Sequence, residues 1–165
     1  MHDFKKDLEY SKKHNEILHE FYKKHYKAIK IGESTLEEDK LGIDKKLYTE
    51  KWIIYIDEKI RKRDYGDILL ETQSCVETNS IGWALDPKKK THIIIYYIEE
   101  TKIVYLIDYQ ELRTAFDMNY EYWAKSWFKY AYNKRHDWTT YRSENIPVKL
   151  ELIEQAGVRI SFKQL

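Results

Sequence analysis

Gly42-Ile43-Asp44 … Trp52-Ile53-Ile54-Tyr55-Ile56-Asp57-Glu58-Lys59 … Gly66-Asp67-Ile68-Leu69-Leu70-Glu71 is the stretch on which the reading of this chain turns. Its pattern predicts three short strands in a meander, each apolar and each carrying an acid where a core strand normally has none. By the period of two, Trp52, Ile54, Ile56, Glu58 and Ile60 share one face, and Ile53, Tyr55, Asp57 and Lys59 share the other. A turn centred between Glu50 and Lys51 sets Asp44 opposite Asp57. A second connection centred on Asp64 sets Asp57 opposite Glu71, so three carboxylates and one lysine meet on a single patch of sheet.

Taken singly, Asp44 reads as a turn residue and Asp57-Glu58-Lys59 as a solvated strand end. Together they read as a site. Crowded carboxylates repel unless a positive charge sits among them. Mg2+ favours a few carboxylates plus water and phosphate, with Mn2+ as a substitute, and an adjacent lysine offsets charge on a phosphate or orients a water.

Composition narrows the classes. The 165 residues predict one domain, 1–165, and 29 basic against 28 acidic residues leave a net charge of +1, which selects no partner. The single cysteine, Cys75, excludes an intrachain disulfide and a cysteine-based zinc site and suits a reducing cytoplasm. The charged start, Met1 to Asp7, reads as no targeting segment, and no run approaches the roughly 20 apolar residues of a membrane span. The expectation is a soluble cytoplasmic protein. Its 15 tyrosines and five tryptophans read first as core, and second as stacking surfaces.

Along the chain, Asp3 to Lys30 predicts a long amphipathic helix with Tyr10, Ile17, Leu18, Phe21, Tyr22 and Ile29 as its stripe, stopped at Gly32. Glu16 and Glu20 share a helix face, and Glu16 reaches a metal cluster if the helix packs suitably. Glu33 to Lys40 reads as a loop, and Gln73 to Lys90 as irregular, ending in the basic run Lys88-Lys89-Lys90. Arg61-Lys62-Arg63 directly follows the Asp57/Lys59 strand and is the better candidate for phosphate contacts. His92–Ile98 and Lys102–Ile107 predict two strands around a tight turn, the first buried on both faces. Asp108 reads as the cap of a helix through Phe116, followed by a second helix over Tyr120–Tyr132 with Trp123, Trp127 and Tyr130 inward. Asn133–Asn145 reads as a loop in which Lys134, Arg135, Trp138, Tyr141 and Arg142 alternate charge with aromatics. Pro147 and Gly157 frame a last helix, before a strand over Val158–Phe162.

Isolated glycines exclude a P-loop and a dinucleotide fingerprint, and no Gly-x-Ser-x-Gly elbow is present. A helix, then Gly-Ile-Asp44, then an apolar strand ending Asp57-Glu58-Lys59, resembles the PD-(D/E)XK nuclease superfamily over roughly residues 1–117. Asp57 and Lys59 match the acidic-any-lysine half of that signature. Asp44 matches the other half without its proline, since Ile43 precedes it. The longer pattern Gly42-Ile43-Asp44 … Asp57-Glu58-Lys59-Ile60-Arg61 … Gly66-Asp67-Ile68-Leu69-Leu70-Glu71 … Gly82-Trp83 also resembles small nuclease-like proteins of phages and prophages.

The resemblance implies an α/β (α+β) fold with a restriction-endonuclease-like core, a mixed central sheet of about five strands flanked by helices. It implies Mg2+ held by Asp44 and Asp57 and an attacking water assisted by Lys59, with Glu71 as an extra ligand or acid and Arg61, Lys62 and Arg63 on the backbone. Glu16 and Gln73 are second-tier candidates. The expected activity is metal-dependent hydrolysis of phosphodiester bonds in DNA, in the cytoplasm of a bacterial host if phage-encoded, with a homodimer left open. The alternative is an inactive nucleic-acid or protein-binding module on the same scaffold. The family's helix between the third and fourth strands has no clear counterpart in Gln73–Lys90.

Overall fold

A computed structural model describes residues 4–125, 129–134 and 140–165. Trp127, Arg135 and Trp138 lie outside the described residues, as do the side chains of Tyr10 and Lys134. The class is mixed α/β, as the resemblance implied, with a mixed sheet of six strands and a second sheet of four beside it. The first contains β1 (Lys30–Glu33), β2 (Lys45–Tyr48), β3 (Ile53–Arg61), β6 (Ile93–Ile98), β7 (Ile103–Asp108) and β10 (Ile160–Gln164), in the order β1-β2-β3-β6-β7-β10. The second contains β4 (Asp67–Cys75), β5 (Ser80–Ile81), β8 (Lys129–Lys134) and β9 (Thr140–Lys149), in the order β5-β4-β9-β8. The helices are α1 (Phe4–Tyr26), α2 (Leu36–Lys40), α3 (Tyr109–Ala124) and α4 (Leu150–Gln155).

β6 decides this arrangement. Ile94 to Ile98 are all buried, so the strand needs cover on both faces and takes a central place, parallel to β3. Ile95 and Tyr97 face α1, where Leu18, Phe21 and Tyr22 pack on them with Leu47, Ile56, Val104 and Leu106. Ile94, Tyr96 and Ile98 face the other way, onto Ile68 and Leu70 of β4, Ile146 and Val148 of β9, and Phe116 and Trp123 of α3. The expected three-strand meander is therefore overturned. β4 is amphipathic, with Ile68 and Leu70 buried and Leu69 and Glu71 only half-buried, so it serves as cover in a second layer and pairs with β9.

Other boundaries shift for local reasons. α1 ends at Tyr26 because Lys27 takes a left-handed conformation, φ 51°, and Gly32 lies within β1 instead of stopping the helix. The expected loop over Glu33–Lys40 contains α2, closed by a reciprocal capping box between Thr35 and Glu38. Asp108 caps α3 as expected, accepting from the Glu111 N–H, but α3 runs unbroken to Ala124. Of the expected loop over Asn133–Asn145, residues 133–134 and 140–145 instead pair in β8 and β9, and residues 135–139 lie outside the described residues. Pro147 stands inside β9, opposite Leu69 of β4, rather than in the first turn of the last helix. Among the described residues the crossover from β4 to β6 contains β5 and turns but no helix.

Leu18 is fully buried between α1 and the first sheet. Leu18→Ala should cost about 2–5 kcal/mol in urea denaturation. A loss under about 1 kcal/mol would show that α1 is not the cover on which this half of the core depends.

Candidate functional site

Asp44 sits just before β2, and its backbone N–H donates to the Ile56 carbonyl at 2.7 Å. With Lys45 opposite Ile56, Asp44 falls opposite Asp57, the register expected from the turn between Glu50 and Lys51. An Asp44 carboxylate oxygen accepts the Glu58 N–H at 2.7 Å, which fixes the side chain against β3. Asp57 is 3 % exposed, and its Oδ1 accepts from the Lys59 ammonium. Alternation along β3 brings these two together, as expected.

The pair opens into a cleft of about 420 Å³ where the two sheets meet, lined by Asp44, Asp57, Lys59, Glu71, Trp83 and Lys89 among others. Glu71 reaches it from the second sheet, not from a paired neighbour of β3. Gly82 locks that wall by donating its N–H to the Thr72 carbonyl at 2.8 Å. A Cβ on Gly82 would lie 2.3 Å from the Glu71 carbonyl oxygen, so only glycine allows this approach. Next in sequence, Trp83 favours the charged Glu71 carboxylate through its backbone N–H and places its ring centroid 5.4 Å from the Lys59 ammonium.

Electrostatics follow from burial. Burial raises the Asp57 carboxyl to about 7; Lys59 opposes that rise and Asp44 adds to it. Burial disfavours the charge on Lys59, yet contact with Asp57 and the nearness of Asp44 and Glu71 hold its pKa above the usual value. Burial also raises Glu71, against the Trp83 N–H, Lys59 and Lys89. Lys59 is therefore a fixed cation, and Asp57 is the group near its titration point at neutral pH. On the α1 side of β3, Tyr22 donates to Glu58 at 2.5 Å, so Glu58 supports the strand from behind.

The basic triplet splits. Arg61 turns inward, bonding the Asp67 carbonyl at 2.9 Å and its carboxylate at 2.5 Å, and it lies 4.6 Å from the centroid of the Tyr65 ring. Lys62 and Arg63 are exposed and do not line the cleft. Glu16 does not reach the cleft either; it lines a separate groove with Phe21 of α1 and Lys163 of β10. Gln73 donates to Asn79 at 2.7 Å, also away from the cleft. Trp83, Lys89 and Asn145 were not expected in the cleft, although Lys89 had a signal in the Lys88-Lys89-Lys90 run and Trp83 in the Gly82-Trp83 pair.

Among the described residues, no group of three or more His, Cys, Asp and Glu side chains is placed to hold a metal ion, and no helix is long and apolar enough to cross a membrane. The two-carboxylate set of Asp44 and Asp57 still suits Mg2+, which takes one or two carboxylates and keeps its waters. No family model, curated protein or solved structure matches the chain.

The sign of the Asp57 effect is fixed by its raised pKa. The folded state holds the proton up to about 7, whereas the unfolded state releases it near 3.8, so stability falls as pH rises between those values. Thermal melts in EDTA should show this slope, and Asp57→Asn should remove its part of it. An unchanged slope in the variant would mean that Asp57 is not the titrating group.

Proposed function

We propose that the chain is a metal-dependent nuclease that hydrolyses phosphodiester bonds in DNA. The observation that carries this reading is the contact of Asp57 with Lys59 on one strand face, with Asp44 opposite, in an open cleft. Asp44 and Asp57 would hold Mg2+ or Mn2+. When bound, the ion would polarise the scissile phosphate and acidify a coordinated water.

The chain's own groups do the rest. Lys59, kept charged by its three carboxylate neighbours, offsets negative charge on the phosphate and orients the attacking water, but it is a poor proton acceptor. Glu71, raised by burial on the facing wall, serves as an acid. Lys89 adds positive charge to the cleft for the backbone, whereas Arg61, also in its lining, is paired with Asp67. Proton release from Asp57 precedes metal binding, so affinity and rate should both rise with pH through about 7. The alternative reading is a module that binds nucleic acid or protein without cutting nucleic acid.

Purified protein should cleave DNA with Mg2+ or Mn2+, and Lys59→Ala or Asp57→Ala should lower the rate at least about a hundredfold while the circular-dichroism spectrum stays unchanged. A thermal-stability gain with Mg2+ should vanish in Asp44→Ala. Equal cleavage by Lys59→Ala would exclude the assigned site, and binding with no cleavage under any divalent ion would leave the non-catalytic module.

A further inference from the structure

One wing of the first sheet carries side chains that the proposed reaction does not use. They lie on the face that bears Asp57, in rows set by the register. The row Asp44–Asp57–Ile94 is followed, two residues back along β3, by Lys46–Tyr55–His92. Two residues further back comes Lys30–Tyr48–Ile53. Each step is about 6.6 Å along the strands. Among the described residues, neither core includes Tyr48, Tyr55 or His92, and His92, Ile53 and Lys30 are exposed.

The rings are held in place. Tyr55 and His92 stack at 4.9 Å between centroids with 24° between planes, and the Tyr55 N–H donates to His92 Nδ1 at 3.2 Å. The Tyr48 ring extends over Gly32, where a Cβ would come within 3.1 Å of its edge. Glycine in β1 thus gives the ring room to lie across the neighbouring strand. The Lys30 ammonium stands 5.5 Å from the Tyr48 centroid, while Lys46 is already held by Glu38 at 2.9 Å. The basic run Lys88-Lys89-Lys90 leads into His92, and Lys89 lines the cleft.

Aromatic rings fixed on an exposed sheet surface, with cations beside them, suit unpaired bases, because every base offers a flat face and a duplex keeps those faces inside its own stack. We propose that this face binds single-stranded nucleic acid, with bases stacked at Tyr55–His92 and Tyr48 and the backbone running past Lys30 towards Lys89. The row nearest the carboxylates then seats the nucleotide beside the phosphodiester that meets Lys59. This inference rests on the nuclease reading for its direction of travel, but binding to the face does not require cleavage.

Fluorescence anisotropy in EDTA tests it, using a labelled oligothymidylate of about 12 nucleotides and a duplex of the same length. The protein should prefer the single strand. His92→Ala and Tyr48→Ala should each weaken single-strand binding by roughly five- to a hundredfold, while Tyr55→Phe binds as the unaltered chain does. His92 is exposed, so its variant carries the test even if Tyr48→Ala fails to fold. Preference for the duplex, no single-strand binding, or both alanine variants binding within about twofold of the unaltered chain would each overturn the proposal. Intact stacking without cleavage would remove the nuclease reading alone, and cleavage with unaffected alanine variants would remove the stacking face alone.

Discussion

Everything at the centre of this molecule depends on how β3 is covered. Ile56 on one face is wholly buried against α1, and Asp57 on the other is almost as deeply buried although it carries a carboxylate. A buried carboxylate is tolerable only with a partner, and Lys59 supplies it from the same face, two residues on. Without Lys59, burial would hold the Asp57 proton to still higher pH, and without Asp57 the Lys59 ammonium would lose its counter-ion. The strand therefore carries its own neutralising group into the interior.

The second sheet exists because of the same demand. β6 is apolar on both faces, and α1 covers only one of them. β4 and β9 close the other with Ile68, Leu70, Ile146 and Val148, and the cleft forms along the edge of that closure. Glu71 and Asn145 stand opposite each other in the β4–β9 pairing and look onto Asp57 and Lys59 from across the gap. A site on the seam of two sheets combines rigid walls with an open mouth, the arrangement in which charged groups can be held apart from bulk water and still meet a ligand.

Uncovered β-sheet beside the cleft follows from the same layering. The second sheet and α3 lie over β6 and β7, leaving Tyr48, Tyr55 and His92 outside both cores. Rings left on a sheet surface are usually buried by a neighbouring element. Here they are fixed by one another, by a backbone N–H and by the gap that Gly32 leaves.

Local chemistry was legible in the residues alone. Alternation put Asp57 with Lys59, the hairpin between Glu50 and Lys51 put Asp44 opposite Asp57, the apolar run after His92 announced a strand buried on both faces, and Asp108 announced a helix cap. These features depend on spacings of two to about thirteen residues, and the chain encodes them directly. Tertiary structure alone decided which strands pair. Three consecutive apolar strands look alike whether the third joins the second or folds over it, and the choice lies with β6, some thirty residues further on, which takes the place beside β3. For the same reason Glu71 faces Asp57 across a cleft rather than along a ladder, Arg61 turns inward to Asp67, and Trp83 and Lys89 join the site. Their positions are set by packing between layers, which no periodicity in the sequence records.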